Sequence, residues 1–257
     1  MSATWLSRVA RFGLACRGIV YLVIALLALN LARGRGQSGQ PDTRGALETI
    51  ARHPFGHALV LAIGVGFGCL AVWQAILAAR AATGSGKRRL AAAGKAIIDA
   101  ALCVSALAIA AHRQAGAGGD KQAVDVTGRV MAHAAGRYVV GAAGIVIGIA
   151  GLAMIVKGLR RRYDVEVHIS DVPRSVRRTF AAIGGLGMLA RGAIVGLLGY
   201  FVVEAAVTFN PAHAKGLDGV LASVLHDPWG PWLLSAIAVG LACFGLFSIL
   251  EARYART

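Results

Sequence analysis

The 257-residue sequence predicts an all-α, polytopic membrane protein whose six transmembrane helices form three parallel two-helix repeats in a pseudo-threefold arrangement. Three features point there. Hydrophobic residues make up 57% of the chain against 15% charged, and the mean hydropathy is +0.65, a composition that does not suit a soluble domain. Six apolar runs each approach the roughly 20 residues that an α-helix needs to cross a hydrocarbon core of about 30 Å. The third feature is internal repetition at a constant offset of 174 residues.

The runs occupy residues 12–32, 58–79, 90–111, 138–156, 181–207 and 232–250. The first, preceded by Arg8 and Arg11, has by itself the make-up of a secretory signal peptide. It carries Gly13-Leu-Ala-Cys16-Arg17-Gly18, however, and this returns deep inside the chain as Gly187-Met-Leu-Ala190-Arg191-Gly192, where no signal peptidase acts. Both stretches therefore read as retained membrane helices.

The offset of 174 persists without a gap. Gly45, Leu47, Pro54 and Gly56 meet Gly219, Leu221, Pro228 and Gly230. In the second run Leu59, Ala62, Ile63, Val65, Gly66 and Cys69 meet Leu233, Ala236, Ile237, Val239, Gly240 and Cys243. A fainter middle copy follows. An offset of 82 brings Arg17 onto Asp99, and an offset of 80 brings Gly56, Gly64 and Gly68 onto Gly136, Gly144 and Gly148. The units are then residues 1–86, 87–177 and 178–257, each crossing outward, looping and crossing back. All three share one orientation, a geometry unlike that of inverted-repeat transporters.

Each outer loop holds a short helical element, such as residues 43–53, before Pro54-Phe55-Gly56 or Pro228-Trp229-Gly230 re-aims the chain. Small residues four apart recur in the returning helices: Gly64 and Gly68, Gly144 and Gly148, Ala238 and Ala242. They predict close helix packing, since lipid supplies no hydrophobic drive for helices to associate. Between the second and third units, residues 163–173 alternate polar and apolar with the period of a short strand. That segment reads as a loop on the membrane surface or a docking strip for a partner chain.

Charge gives orientation. Of the 27 basic residues, 16 fall on the side of the chain termini, including Lys87, Arg88, Arg89, Arg160, Arg161 and Arg162, and nine fall on the other side. The positive-inside rule puts both termini in the cytoplasm. The net charge of +15 would suit nucleic acid in a soluble protein, but the basic loops lack the interleaved aromatics that such binding uses. Instead they suit anionic lipid at the cytoplasmic face, or a membrane-protein partner. All four cysteines lie within apolar runs without CxxC spacing, as packing residues do.

Three tandem two-helix units, two of them opening with Gly-x-x-Ala/Cys-Arg-Gly, resemble a bacterial membrane-protein family known only as a domain of unknown function and common in actinobacteria. The resemblance covers nearly the whole chain, with Lys95 and Asp99 in the middle unit where the others have glycine and arginine. It implies a multi-pass protein of the bacterial plasma membrane, and no activity.

Arg17, Asp99 and Arg191 occupy equivalent positions in the three outgoing helices. A charge at mid-membrane costs about 2.5–3.5 kcal/mol on insertion scales, so such residues face the protein interior and pair. One acid between two bases reads as an ionic clasp that fixes which helix goes where. Other readings are a site for an anion, lipid headgroup or proton, and snorkelling to the interface. Asn30, His112 and Glu204 form an equivalent set further out, and His53, His133 and Asp227 another in the outer loops. Imidazole with carboxylate can bind zinc or copper, although loop histidines are more commonly solvated, and neither a metal nor a cofactor is expected. Arg17 and Asn30 lie 13 residues apart, about 220° around a helix, which disfavours one continuous polar pore.

No phosphate loop, nucleophile elbow or HExxH motif is present, so the chain reads as non-enzymatic. The expected function is a structural or accessory membrane protein. The alternative is a transporter or channel for protons, small ions or anionic solutes that uses the Arg17–Asp99–Arg191 cluster.

Overall fold

The computed structural model describes residues 3–34, 41–51, 56–80, 86–111, 119–133, 135–160, 174–225 and 228–254. The described residues form an all-helical protein in which a long helix, a short one and a long one follow each other three times. The elements are α1 (Ala3–Ala32), α2 (Thr43–Ala51), α3 (Gly56–Arg80), α4 (Gly86–Ala110), α5 (Gly119–Met131), α6 (Gly136–Leu159), α7 (Arg174–Thr208), α8 (Leu217–Leu225) and α9 (Gly230–Tyr254). A 3-10 turn at Pro211–His213 precedes α8.

Six of these helices are long and apolar enough to cross a membrane, at Arg11–Ala32, Gly56–Ile76, Ala92–Ala110, Gly136–Leu159, Ala181–Thr208 and Gly230–Arg253. They coincide with the six apolar runs. α7 starts seven residues ahead of its run because helix continues through the basic turns before Ala181. The alternating stretch 163–173 lies outside the described residues.

The long helices pack in the spatial order α4, α3, α1, α9, α7, α6, while α4 and α6 do not pack along their length. Small residues permit the close contacts. A Cβ on Gly18 of α1 would lie 2.7 Å from the Gly245 carbonyl oxygen of α9, and one on Gly199 of α7 would lie 2.7 Å from Gly148 Cα of α6. Gly64 and Gly68 face Ala106 and Cys103 of α4. Backbones this near each other gather many dispersion contacts, the main packing term available between helices in lipid.

Val20, Ile24 and Ala28, one helical turn apart on α1, are buried among Val60, Ile63 and Phe67 of α3 and Leu234 and Leu241 of α9. The short helices belong to this core, since Leu47 of α2 and Leu221 of α8 are fully buried within it. The opposite faces are apolar and uncovered: Leu26 is 61% exposed, Ile97 71% and Val146 65%. Water would not tolerate so much apolar surface, whereas acyl chains match it.

Each returning helix opens with a glycine, at Gly56, Gly136 and Gly230. These backbones press against the Ile50, Val130 and Leu225 carbonyl oxygens, leaving no room for a Cβ. This is why glycine follows the proline-aromatic pair at Gly56 and Gly230. Trp229 and Trp232, both 76% exposed, stand at that end of α9 in the manner of an interfacial aromatic belt.

Candidate functional site

α1 places Arg17 and Tyr21 one turn apart, and α9 places Phe244, Ser248 and Glu251 along one face at steps of four and three. These two faces meet. Tyr21 and Phe244 pack edge to face with centroids 4.8 Å apart at 72°. Arg17 Nη2 lies 3.9 Å from Glu251 Oε2 and its guanidinium 5.8 Å from the Phe244 ring centre. From α7, Arg191 brings its guanidinium to 4.8 Å from Phe244 and 5.5 Å from Tyr21. Cation–π contacts of this kind contribute about 0.5–2 kcal/mol each, more as water is excluded.

Asp99 of α4 completes the set. It is 7% exposed, and the charges whose fields reach it belong to Arg17, Arg191 and Lys95. The structure thus brings Arg17, Asp99 and Arg191 into one electrostatic neighbourhood. Among the described residues, however, the carboxylate within ion-pair distance of Arg17 is that of Glu251. The expected bridge in which Asp99 joins both arginines gives way to an α1–α9 pair, because α1 packs directly on α9 while α4 packs on α3 and α2. Arg17 Nε and Ser248 Oγ are buried and have no hydrogen-bond partner among the described residues. Glu251, Phe244 and Tyr21 escaped the sequence reading. The available signal was an acid at the end of the last apolar run, seven residues beyond an aromatic ring.

Of the outer polar sets, Asn30, Glu204 and His133 fall among the described residues. Glu204 of α7 pairs with His213 Nδ1 at 3.3 Å, Asn30 is half-buried near the end of α1, and exposed His133 has a ring nitrogen 3.1 Å from the Arg129 carbonyl oxygen of its own turn. His112, His53 and Asp227 lie outside the described residues. Among the described residues no group of three or more His, Cys, Asp or Glu side chains could hold a metal ion. The four cysteines are free thiols; Cys16 packs against Gly66 and Cys103 against Gly68.

A different acidic trio lies at this end. Asp42 accepts a hydrogen bond from the Gly45 N–H at 2.6 Å at the start of α2, and Asp120 of α5 accepts one from the Gly216 N–H at 2.9 Å, holding α5 to the start of α8. Asp218 is 8% exposed, and its buried Oδ1 has no hydrogen-bond partner among the described residues. Burial pushes its carboxyl above the usual carboxylate range, the negative charges of Asp42 and Asp120 push the same way, and the N–H groups of Asp218 and Gly219 pull against them. Arg137 lies 3.9 Å over the Phe209 ring and so ties the start of α6 to the end of α7.

Comparison with known proteins adds a family but no activity. The chain is 28% identical over 256 residues to the uncharacterized protein YxxB of Bacillus subtilis (strain 168), covering 97% of this chain and 91% of that protein. No solved structure matches it. The sequence profile of the family described as Domain of Unknown Function (DUF1206) matches residues 12–88 and 186–255, more than half of the chain, which therefore belongs to that family.

Proposed function

We propose that this chain is a non-enzymatic structural or accessory protein of the bacterial plasma membrane, with both termini in the cytoplasm. It is built of three equivalent two-helix units and holds anionic lipid or a membrane partner through its basic cytoplasmic loops. The observation that carries the reading is how the intramembrane charges are used. Arg17 contacts Glu251, and both arginines lie on aromatic rings supplied by neighbouring helices, so the charges join helices rather than line a path.

Matching contacts support the three-unit reading. Gly13 of α1 packs on Leu70 of α3 as Gly187 of α7 packs on Phe244 of α9, at the same offset of 174. Gly18 packs on Gly245 and Ile249 of α9 as Gly192 packs on Gly151 and Ile155 of α6. The returning helix of one unit meets the outgoing helix of another in the pairs α3–α4, α6–α7 and α9–α1. Location and orientation rest on the 16 basic residues at the terminal side against nine opposite.

Native mass spectrometry of the gently solubilised chain tests the assignment. A co-purifying protein chain or anionic lipid is expected, and a bare monomer would sink it. Asp99→Asn should lower thermal stability in detergent if the charges clasp the helices; an unchanged midpoint counts against the clasp. A second reading, transport of a proton or small anion, is favoured by one feature, the buried Arg17 Nε without an acceptor. It requires a liposome flux that Arg191→Gln abolishes while assembly is preserved.

A further inference from the structure

The uncovered edge of the arginine cluster supports a more specific assignment. Because α4 and α6 stand at the two ends of the packing series and do not pack on each other, the six spans form an open arc rather than a closed ring. Its outgoing helices α1, α4 and α7 carry Arg17, Asp99 and Arg191, which lie within one another's electrostatic reach. The cluster is not sealed. Arg17 and Glu251 keep 20% and 21% of their side-chain surface accessible.

Depth decides what that surface meets. Arg17 is six residues into the span that begins at Arg11, about 9 Å along the helix, where the surroundings are hydrocarbon with headgroups just beyond. An accessible guanidinium at that depth needs oxygen acceptors within reach of a short snorkel. The Glu251 oxygen, at 3.9 Å, stands at the edge of ion-pair range, and among the described residues the buried Arg17 Nε has no acceptor. Arg191 has its guanidinium over the rings of Phe244 and Tyr21, and among the described residues no carboxylate lies within ion-pair distance of it. What the site lacks is a compact, doubly accepting oxygen group. In this leaflet the matching group is a phosphate, which guanidinium binds in bidentate fashion.

We infer that the Arg17–Arg191 edge binds the phosphate of a phospholipid from the leaflet nearer the chain termini, its acyl chains lying along the open arc. This rests on the accessory, lipid-holding reading above and adds to the basic loops a site within the bundle. The lipid source follows from the depth, because a phosphate that meets an arginine about 9 Å inside a membrane span is one tethered to acyl chains.

The test uses the full chain reconstituted into vesicles of phosphatidylethanolamine with phosphatidylglycerol, re-extracted in mild detergent and weighed by native mass spectrometry. Wild type should retain phospholipid, and Arg191→Gln should retain roughly tenfold less, as expected for loss of a charged hydrogen-bonding partner. A loop variant with Lys87, Arg88 and Arg89 changed to Gln tests the loops separately, and Lys121→Gln on the exposed side of α5 is the control that should retain phospholipid as wild type does. Loss in the loop variant alone overturns this inference and leaves the accessory reading standing; retention of neither lipid nor protein by wild type overturns both. Inorganic phosphate that raises the thermal midpoint of the delipidated chain as much as phospholipid does would identify a free-anion site and overturn the lipid assignment. A phospholipid with a photoactivatable headgroup gives a readout on wild type that needs no folded variant. Adducts near Arg17 or Arg191 support the site, and adducts confined to the basic loops or to the outward faces of α4 and α6 reject it.

Discussion

Arg17 Nη2 stands 3.9 Å from Glu251 Oε2, joining the first long helix to the last. The two ends of the chain are thereby tied at one level of the membrane, beside the Gly18–Gly245 contact that brings their backbones together. Glu251→Gln removes one partner. The expected loss is about 1–3 kcal/mol, between the 0–1 of an exposed pair and the 3–5 of a buried one, because a fifth of each side chain is accessible. Thermal midpoints in detergent for Glu251→Gln, Arg17→Gln and the double variant measure it; strictly additive losses would mean that the two side chains do not interact.

Two glycines of α7 predict opposite outcomes. A Cβ at Gly199 would sit 2.5 Å from Gly148 N and 2.8 Å from the Gly144 carbonyl oxygen, so Gly199→Ala must push α6 and α7 apart at a cost of about 1–3 kcal/mol. A Cβ at Gly196 meets nothing within 4 Å, and Gly196→Ala should be neutral or stabilising by up to about 1 kcal/mol through helix propensity. Thermal melts of both variants side by side decide it, and equal losses would refute the packing assignment.

Asp218 predicts a pH dependence with a definite sign. Its carboxyl is raised in the folded chain, chiefly by burial and then by Asp42 and Asp120, so the folded state holds that proton more tightly than the unfolded state does. Its contribution to stability is therefore greatest below the ordinary carboxyl value of 3.8 and declines as pH rises through the folded value. Asp218→Asn should flatten this decline in a series of thermal melts and raise the midpoint at neutral pH by a few degrees. A variant whose melting profile runs parallel to wild type at every pH would show that Asp218 does not titrate in this way.

Arg191 separates packing from binding. Replacing it with Lys keeps the positive charge but loses the planar fork, so the chain should assemble while retention of phospholipid falls. Size-exclusion profiles and native mass spectra of the same preparation read the two properties independently. Full retention by the lysine variant would show that charge alone suffices.

Much of this was legible because membrane helices announce themselves locally. Each of the six spans is set by its own apolar run, and a run needs no partner to be recognised. The small residues four apart, Gly64 with Gly68 and Gly144 with Gly148, likewise marked where helices come close, against Ala106 and Cys103 of α4 and Gly199 of α7, since in lipid only small residues let backbones approach. The outer sets were harder to place. Glu204 pairs with His213, nine residues along its own chain, because the 3-10 turn after α7 folds that segment back.

From the sequence alone came the class, the number of spans, the positions of the charged residues and the motif that places them on outgoing helices. Only the tertiary structure decided that Arg17 pairs with Glu251 rather than Asp99, that Phe244 and Tyr21 receive the arginines, and that the arc opens between α4 and α6. The physical reason is that apolar periodicity sets each helix's own length and depth. Which helix is neighbour to which, and the rotation that aims Glu251 at α1, depend on side-chain fit between segments more than 200 residues apart.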